Sequence, residues 1–254
     1  MGLEAILGVE LSSFLFPLFR VAGLIMVAPV FGSRLVPQRI KLVLAVCVTL
    51  AILPTLPVIS IDSGPLVSGF IVMQEILIGV AMAFMVQMTF DALVIAGQTI
   101  AMTMGLGFAM LVDPNRGVSV PVLSQFFVII GVLTFLSLNG HLALLQMVAE
   151  SFELLPVGQL LSVGSIWWLL EWGSEMFIGA VSIALPAVVS ILVVNIAFGV
   201  MSRAAPTLNL FAIGFPSALL LGFIVLLINL GTIGAVFADL LSSSLLSVVD
   251  MLGQ

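Results

Sequence analysis

The sequence predicts an all-α, polytopic membrane-type fold of about six long hydrophobic helices with broken half-helices between them. Three observations carry this. The 254 residues are 62% hydrophobic and only 7% charged, with a mean hydropathy of +1.41, whereas a soluble surface needs roughly 25% charged residues. The apolar residues gather into runs long enough to cross a bilayer, about 20 residues each. The basic residues between those runs fall on one side of the resulting topology.

In chain order the six runs are 11–30, 40–59, 66–90, 122–138, 176–200 and 213–237. Two further apolar pieces, 93–111 and 142–170, carry more polar residues and breaks. They read as half-helices or as helices packed on protein. Pro54, Pro57 and Pro65 with Gly64 bracket the second turn, Pro156 with Gly158 interrupts the long outer segment, and Pro206 and Pro216 flank the last inner turn. No short-period repeat is visible.

Arg34, Arg39 and Lys41 lie between runs one and two, Arg116 between three and four, and Arg203 between five and six. The opposite side holds Glu4, Glu10, Asp62, Glu150, Glu153, Glu171, Glu175, Asp239 and Asp250, with no Lys or Arg. The positive-inside rule puts the basic side in the cytoplasm and both termini outside. The N-terminus, MGLEAILGVE, lacks the basic region of a secretory signal and reads as retained.

Enzymatic chemistry is not expected. Spans and short connections leave no room for an extramembrane catalytic core, and neither HExxH nor GxSxG occurs. Cys47 stands alone, so no disulfide framework or metal cluster forms. His141, after Asn139 and Gly140, has no second His, Cys or close carboxylate, which makes helix-end hydrogen bonding its role rather than metal binding. The net charge of −6 and the lack of a basic stripe exclude nucleic acid. No cofactor is implied.

Residues 102–125 depart from the simple spanning pattern. Asp113, Pro114, Asn115, Arg116 and Gly117 break an apolar stretch in its middle, and Pro121 breaks it again. Broken backbone at membrane depth is tolerated only where protein buries it or where it lines a cavity. The stretch therefore points to a loop inside a pathway, and to a channel or transport role.

Arg20 and Glu75 lie inside the first and third runs. A charge at a helix centre costs about 2.5–3.5 kcal/mol on insertion scales and finds a partner. Arg20 with Glu75 is the economical pairing, with Asp91 a second partner for Arg20. A buried structural pair accounts for them better than an ion relay, since a proton pump carries more intramembrane carboxylates. Small residues at Gly97, Ala101, Gly105 and Ala109 form one helical face, and Gly231, Ala235, Gly234 and Ala238 form another, for packing within the chain or against other subunits. Seven of the thirteen methionines fall between Met73 and Met110. Met82, Met85 and Met88 share a face, and Met102, Met104 and Met110 surround the loop, a pattern that suits a deformable seal.

Several separated motifs resemble one family. They are FPLFRVAGLIMVAPVFGSRLVPQR with Arg20, Ala28, Pro29, Phe31, Gly32, Pro37 and Arg39; QEILIG with Glu75 and Gly79; and GLGFAMLVDPNRG with Gly105, Ala109, Asp113, Pro114 and Gly117. They continue with NGH followed by Ser151, Phe152 and Pro156, and with MSRAAPTLNLFAIGFP, which carries Arg203, Pro206, Asn209, Phe211, Gly214 and Pro216. Together they resemble the FliR-type proteins, the R/T component family of type III secretion export gates, over essentially the whole chain. Thr207 departs locally from that family's pattern.

The resemblance implies one export-gate domain over 1–254: a FliP-like part over about 1–175 joined to a FliQ-like helical hairpin over about 181–241. It implies assembly with FliP-like and FliQ-like subunits into a hetero-oligomeric helical pore, with FlhB-like and FlhA-like proteins beside it and unfolded export substrates passing through. The family's location is the bacterial inner membrane at the flagellar basal body, largely towards the periplasm, so apolar helices bury against one another rather than lipid. The family's pore plug falls on 106–122. On that reading Phe108, Met110, Leu111 and Val112 pack the closed pore, Gly105, Gly107 and Gly117 serve as hinges, and Asp113 with Arg116 latches the turn beside Pro114. An exposed pair of that kind is worth only about 0–1 kcal/mol, which suits a reversible latch. A virulence injectisome subunit is the narrower alternative, and a scaffold that does not line the pore is another. A secondary transporter would show paired interruptions in two related halves, and only one strong interruption is present.

Overall fold

The computed structural model describes residues 3–56, 64–106, 122–204 and 210–253. These form seven α-helices and one short 3-10 turn, with no strand among the described residues. In order they are α1 (Leu3–Val27), α2 (Gln38–Ile52), the 3-10 turn Leu53–Thr55, α3 (Pro65–Thr103), α4 (Val122–Ser137), α5 (Gly140–Leu154), α6 (Val163–Ala204) and α7 (Leu210–Leu252).

Local chemistry accounts for most of the helix ends. Pro29 follows α1 closely, and a residue before proline is pushed out of the helical region. Pro65 opens α3, where its missing N–H costs nothing. Ser162 caps α6 by accepting the Ser165 N–H at 3.0 Å, which satisfies one of the orphan donors of the first turn. Asn139, at φ 57°, ends the α4 path in the left-handed region, and Gly140 follows because a β-carbon there would strike the Phe135 ring. Pro17, Pro186 and Pro216 sit inside α1, α6 and α7. Pro216 therefore does not flank a turn, as the sequence implied; α7 starts before it.

The helices are longer than expected. Run 66–90 and piece 93–111 are largely one helix, α3, of 39 residues. The span placed at 176–200 begins at Val163, and that placed at 213–237 continues to Leu252, giving helices of 42 and 43 residues. At 1.5 Å per residue each follows about 58–65 Å of path, roughly twice a 30 Å hydrocarbon core. The cause of the difference is physical: a window of bilayer length reports apolar character, whereas a helix ends where capping and turn residues stop it. Four helices are long and apolar enough to span, within Gln38–Thr55, Leu66–Thr103, Val163–Met201 and Leu219–Leu252; α4 with α5 as one broken span makes five. The sixth expected span, 11–30, contains the shorter apolar piece Ser12–Val27.

The chain divides into two compact units. One comprises Met1–Met88, Phe135–Ser174 and Leu241–Gln254, the other Thr89–Thr134 and Glu175–Leu240. In the first, Leu24, Ile78, Met82, Met85, Val148 and Phe152 are buried, and the Trp172 indole N–H donates to the Met85 carbonyl at 3.0 Å. In the second, Phe90 and Phe237 pack edge to face with centroids 5.2 Å apart, and Gly131 lies against Leu93 and Phe237 with no room for a β-carbon. Met82, Met85 and Met88 are all buried within the chain, so that face fills its core rather than standing free as a seal.

Candidate functional site

Arg20 and Glu75 meet in the first unit, both with 0% side-chain exposure. Arg20 Nε donates to Glu75 Oε2 at 2.7 Å. Burying two charges costs several kcal/mol per ion, and the pair recovers it only with good geometry and further hydrogen bonds. Those bonds come from the end of α5. One terminal nitrogen of Arg20 donates to the Ser151 carbonyl at 2.9 Å and to Ser151 Oγ at 3.1 Å, and the other donates to the Leu155 carbonyl at 2.9 Å. The guanidinium lies 4.1 Å from the centroid of the Phe152 ring, a cation–π contact.

The position is chemically apt. The Ser151 carbonyl, which also takes the Leu155 N–H at 2.9 Å, has a second lone pair to offer, and the end of α5 carries the negative end of its dipole. A guanidinium with a rigid fork of donors satisfies both conditions at once. Glu75 completes the hub, its Oε1 accepting the Gly158 N–H at 3.4 Å. Gly158 has φ 89°, a left-handed conformation that glycine adopts without penalty. One arginine thus joins α1, α3, the end of α5 and the turn after it.

Two glycines make the hub possible. A β-carbon on Gly79 would collide with the Arg20 carbonyl oxygen, and one on Gly23 would come within 2.5 Å of the Ile76 carbonyl oxygen. Close approach of helix backbones at small residues is the usual packing device of apolar helices. Gly23 was not singled out in the sequence, although it lies one turn beyond Arg20 as Gly79 lies one turn beyond Glu75.

In the second unit, the stems of segment 107–121 are built with equal care. α3 ends in a Schellman motif: the Leu106 N–H bonds to the Ala101 carbonyl and the Gly105 N–H to the Met102 carbonyl, both at 3.0 Å. Gly105 at φ 84° is the left-handed residue this motif demands. Gly105 therefore leaves the helical face begun by Gly97 and Ala101, and Ala109 lies outside the described residues. Met104 is buried against Gly222 of α7, its Cγ 2.9 Å from where a β-carbon would stand. The Asn195 side chain donates to the Thr103 carbonyl at 3.4 Å. On the other stem, Ser124 Oγ donates to the Val94 carbonyl at 3.0 Å, and Gly97 faces the Ser124 backbone with only 2.7 Å between its would-be β-carbon and Ser124 Cα.

Of the residues named from the sequence, Arg20, Glu75 and Gly105 have these places. Gly107, Phe108, Met110, Leu111, Val112, Asp113, Pro114, Arg116 and Gly117 lie outside the described residues, as do Pro206 and Asn209. Arg203 is exposed in the last turn of α6, Gly214 lies in α7, and Pro216 is exposed within it. Met104, Ser124, Asn195 and Gly222 were missed as stem residues, because a single serine, asparagine or glycine carries no positional signal until its neighbour is known.

Residues 11–244 match the family of bacterial export proteins, family 1. The chain is 38% identical over 213 residues to the flagellar biosynthetic protein FliR of Escherichia coli K12, covering 84% of this chain and 82% of that one. It is 34% identical to the FliR protein of Pectobacterium carotovorum, covering 96% and 94%, and 33% identical to that of Aquifex aeolicus, covering 87% and 86%. With its buried Arg20 hub, its spanning-length helices and this match over nearly its whole length, the chain belongs to the FliR family of bacterial export proteins.

Proposed function

We propose that this chain is a pore-forming subunit of the flagellar type III protein export gate in the bacterial inner membrane, passing unfolded substrates, with segment 106–122 as the plug of the closed pore. The observation that carries the reading is how firmly the two stems are held. α3 stops at a fully formed Schellman end at Gly105, and Met104, Gly97 and Ser124 pin both stems to neighbouring helices. The Gly-, Met- and Phe-containing segment between them is thereby presented from a fixed base.

Assembly with FliP-like and FliQ-like subunits, and with FlhB-like and FlhA-like proteins, is part of the same proposal. It is supported by the apolar surface the chain leaves open: Phe177, Val181, Leu185, Leu192, Leu227 and Ile228 are each more than half exposed. At Gly231 and Gly234 a would-be β-carbon meets no atom within 4 Å among the described residues, their own helix backbone aside. Both suit the close approach of another helix. A location largely towards the periplasm fits helices that exceed a bilayer core.

The test is ion conductance of the reconstituted gate. Deleting residues 110–117 is expected to raise leakage across the membrane, and unchanged conductance would overturn the plug. A stalled substrate is expected to cross-link to residues 104–118. Cross-linking elsewhere in the gate but not there would favour a scaffold.

A further inference from the structure

The connection between α1 and α2 combines features that the gate reading does not use. Its backbone is tightly held. The Phe31 N–H bonds to the Pro29 carbonyl at 2.8 Å across Val30, which sits at φ 68°, an uncommon conformation for a β-branched residue. The Gly32 N–H bonds to the Ala28 carbonyl at 2.7 Å, and Lys41 Nζ donates to the Gly32 carbonyl at 2.7 Å. This rigid turn carries Arg34 and leads into Arg39 and Lys41, three of the six basic residues of the chain.

No Asp or Glu occurs between Glu10 and Asp62. Arg34 and Arg39 are exposed, and neither forms an ion pair among the described residues. α2 begins beside them with no side-chain cap and no acidic residue in its first turn. The Ile40 and Lys41 N–H groups of that turn bond to the Pro37 carbonyl, so it is the positive dipole end of α2, with no acidic residue against it, that favours an anion there.

Directly alongside lies an apolar cleft of about 80 Å³ between α1 and α2. Ala22, Ile25, Met26, Leu42 and Ala45 line it, and Gln38 and Lys41 supply its polar part. Beyond the cleft α2 stays apolar and open, with Ile40, Leu42, Val43 and Leu50 all more than half exposed. The segment Gln38–Thr55 is long and apolar enough to cross a membrane, and in a bilayer the basic residues at its start would stand at headgroup level.

We propose that the α1–α2 connection is a binding site for an anionic phospholipid, its phosphate held by Arg34, Arg39 and Lys41 over the α2 N-terminus and part of an acyl chain laid in the cleft. An acidic protein segment would answer the charges but leave the cleft unfilled; a lipid answers both. Basic pockets between spanning helices bind anionic headgroups by this combination. The proposal stands independently of the plug.

The test is native mass spectrometry of the purified full chain in detergent micelles, titrated with dioleoyl phosphatidylglycerol or dioleoyl phosphatidylcholine. The first phosphatidylglycerol is expected to bind at least about tenfold more tightly, since each basic residue near a headgroup contributes about fivefold. The preference is expected to fall with added ammonium acetate, as screening requires. Arg34→Gln with Arg39→Gln is expected to bring the two lipids within about twofold, while Arg34→Lys with Arg39→Lys keeps the preference and controls for folding. Ala45→Phe, which fills the cleft and leaves the charges, is expected to weaken phosphatidylglycerol binding several-fold. Equal binding of the two lipids by the unaltered chain, or a preference that survives the double glutamine variant, overturns the site. Polyglutamate displacing bound phosphatidylglycerol from the unaltered chain at equal concentration overturns the choice of lipid over an acidic segment.

Discussion

The backbone of α3 at Gly79 lies so close to α1 that a β-carbon there would collide with the carbonyl oxygen of Arg20. The same arginine, through its side chain, reaches Glu75 one turn earlier on α3. Backbone contact and ion pair thus fix one crossing between them, and neither can be altered without disturbing the other.

Gly79→Ala is therefore expected to destabilise the chain by about 1–3 kcal/mol, the usual range for overpacking. The obstructing atoms are main chain and cannot rotate aside. Gly173→Ala, in α6 where a β-carbon meets nothing within 4 Å among the described residues beyond its own helix backbone, is expected to be neutral or to stabilise by up to about 1 kcal/mol through helix propensity. Denaturant unfolding in detergent, followed by circular dichroism, separates the two.

Arg20→Met removes the charge that compensates a fully buried Glu75. An unpaired buried partner costs about 3–5 kcal/mol, the Leu155 carbonyl loses its guanidinium donor, and the Ser151 carbonyl keeps only the Leu155 N–H. Arg20→Met combined with Glu75→Gln is expected to recover part of that loss in a double-mutant cycle. Arg20→Lys is expected to recover little, since one ammonium cannot reproduce a fork spread over three nitrogens. Equal stability of the single and double variants would remove the ion pair from this account.

Gly105→Ala places a β-carbon at φ 84°, a conformation that costs roughly 1–2 kcal/mol for an L-residue. Gly105→Asn is expected to cost less, because asparagine tolerates the left-handed region. Melting temperatures of the two variants in the same detergent check the order. If segment 106–122 is the plug, the alanine variant also raises conductance of the gate by loosening its base.

Gly97→Ala and Gly222→Ala are expected to differ although both sites are crowded. At Gly97 the obstacle is the Ser124 backbone, and at Gly222 it is the flexible side chain of Met104. The first is expected to cost more than 1 kcal/mol and the second less, because methionine re-packs easily. Unfolding midpoints of the pair decide it.

What could be read in advance followed from strong local rules. Arg20 and Glu75 are charges in apolar runs, and such charges need partners. The breaks at Pro65 and Pro156 follow from proline chemistry, whereas the helix ends at Pro29 and Gly105 were not read: Pro29 fell inside the 11–30 run and Gly105 on a small-residue face. The remaining partners of Arg20 were not readable, because the carbonyls of Ser151 and Leu155 belong to the main chain and every residue has one. The lengths of α3, α6 and α7 were misjudged because hydropathy reports what a helix touches, not where it stops. Asp91, offered as a second partner for Arg20, falls inside α3, and the arginine takes Glu75 instead.

The Arg20 hub also constrains the order in which the protein can be made. Leu155, whose carbonyl completes the guanidinium's bonds, is synthesised 135 residues after Arg20. At about 5–20 residues per second, the interval is roughly 7–27 s. Glu75 follows 55 residues after Arg20, but until Leu155 is made the set of bonds that holds the buried guanidinium is incomplete. Nascent α1 must wait at an interface where water or a headgroup can hold its charge, and its full burial becomes a late, chain-length-timed event in biogenesis.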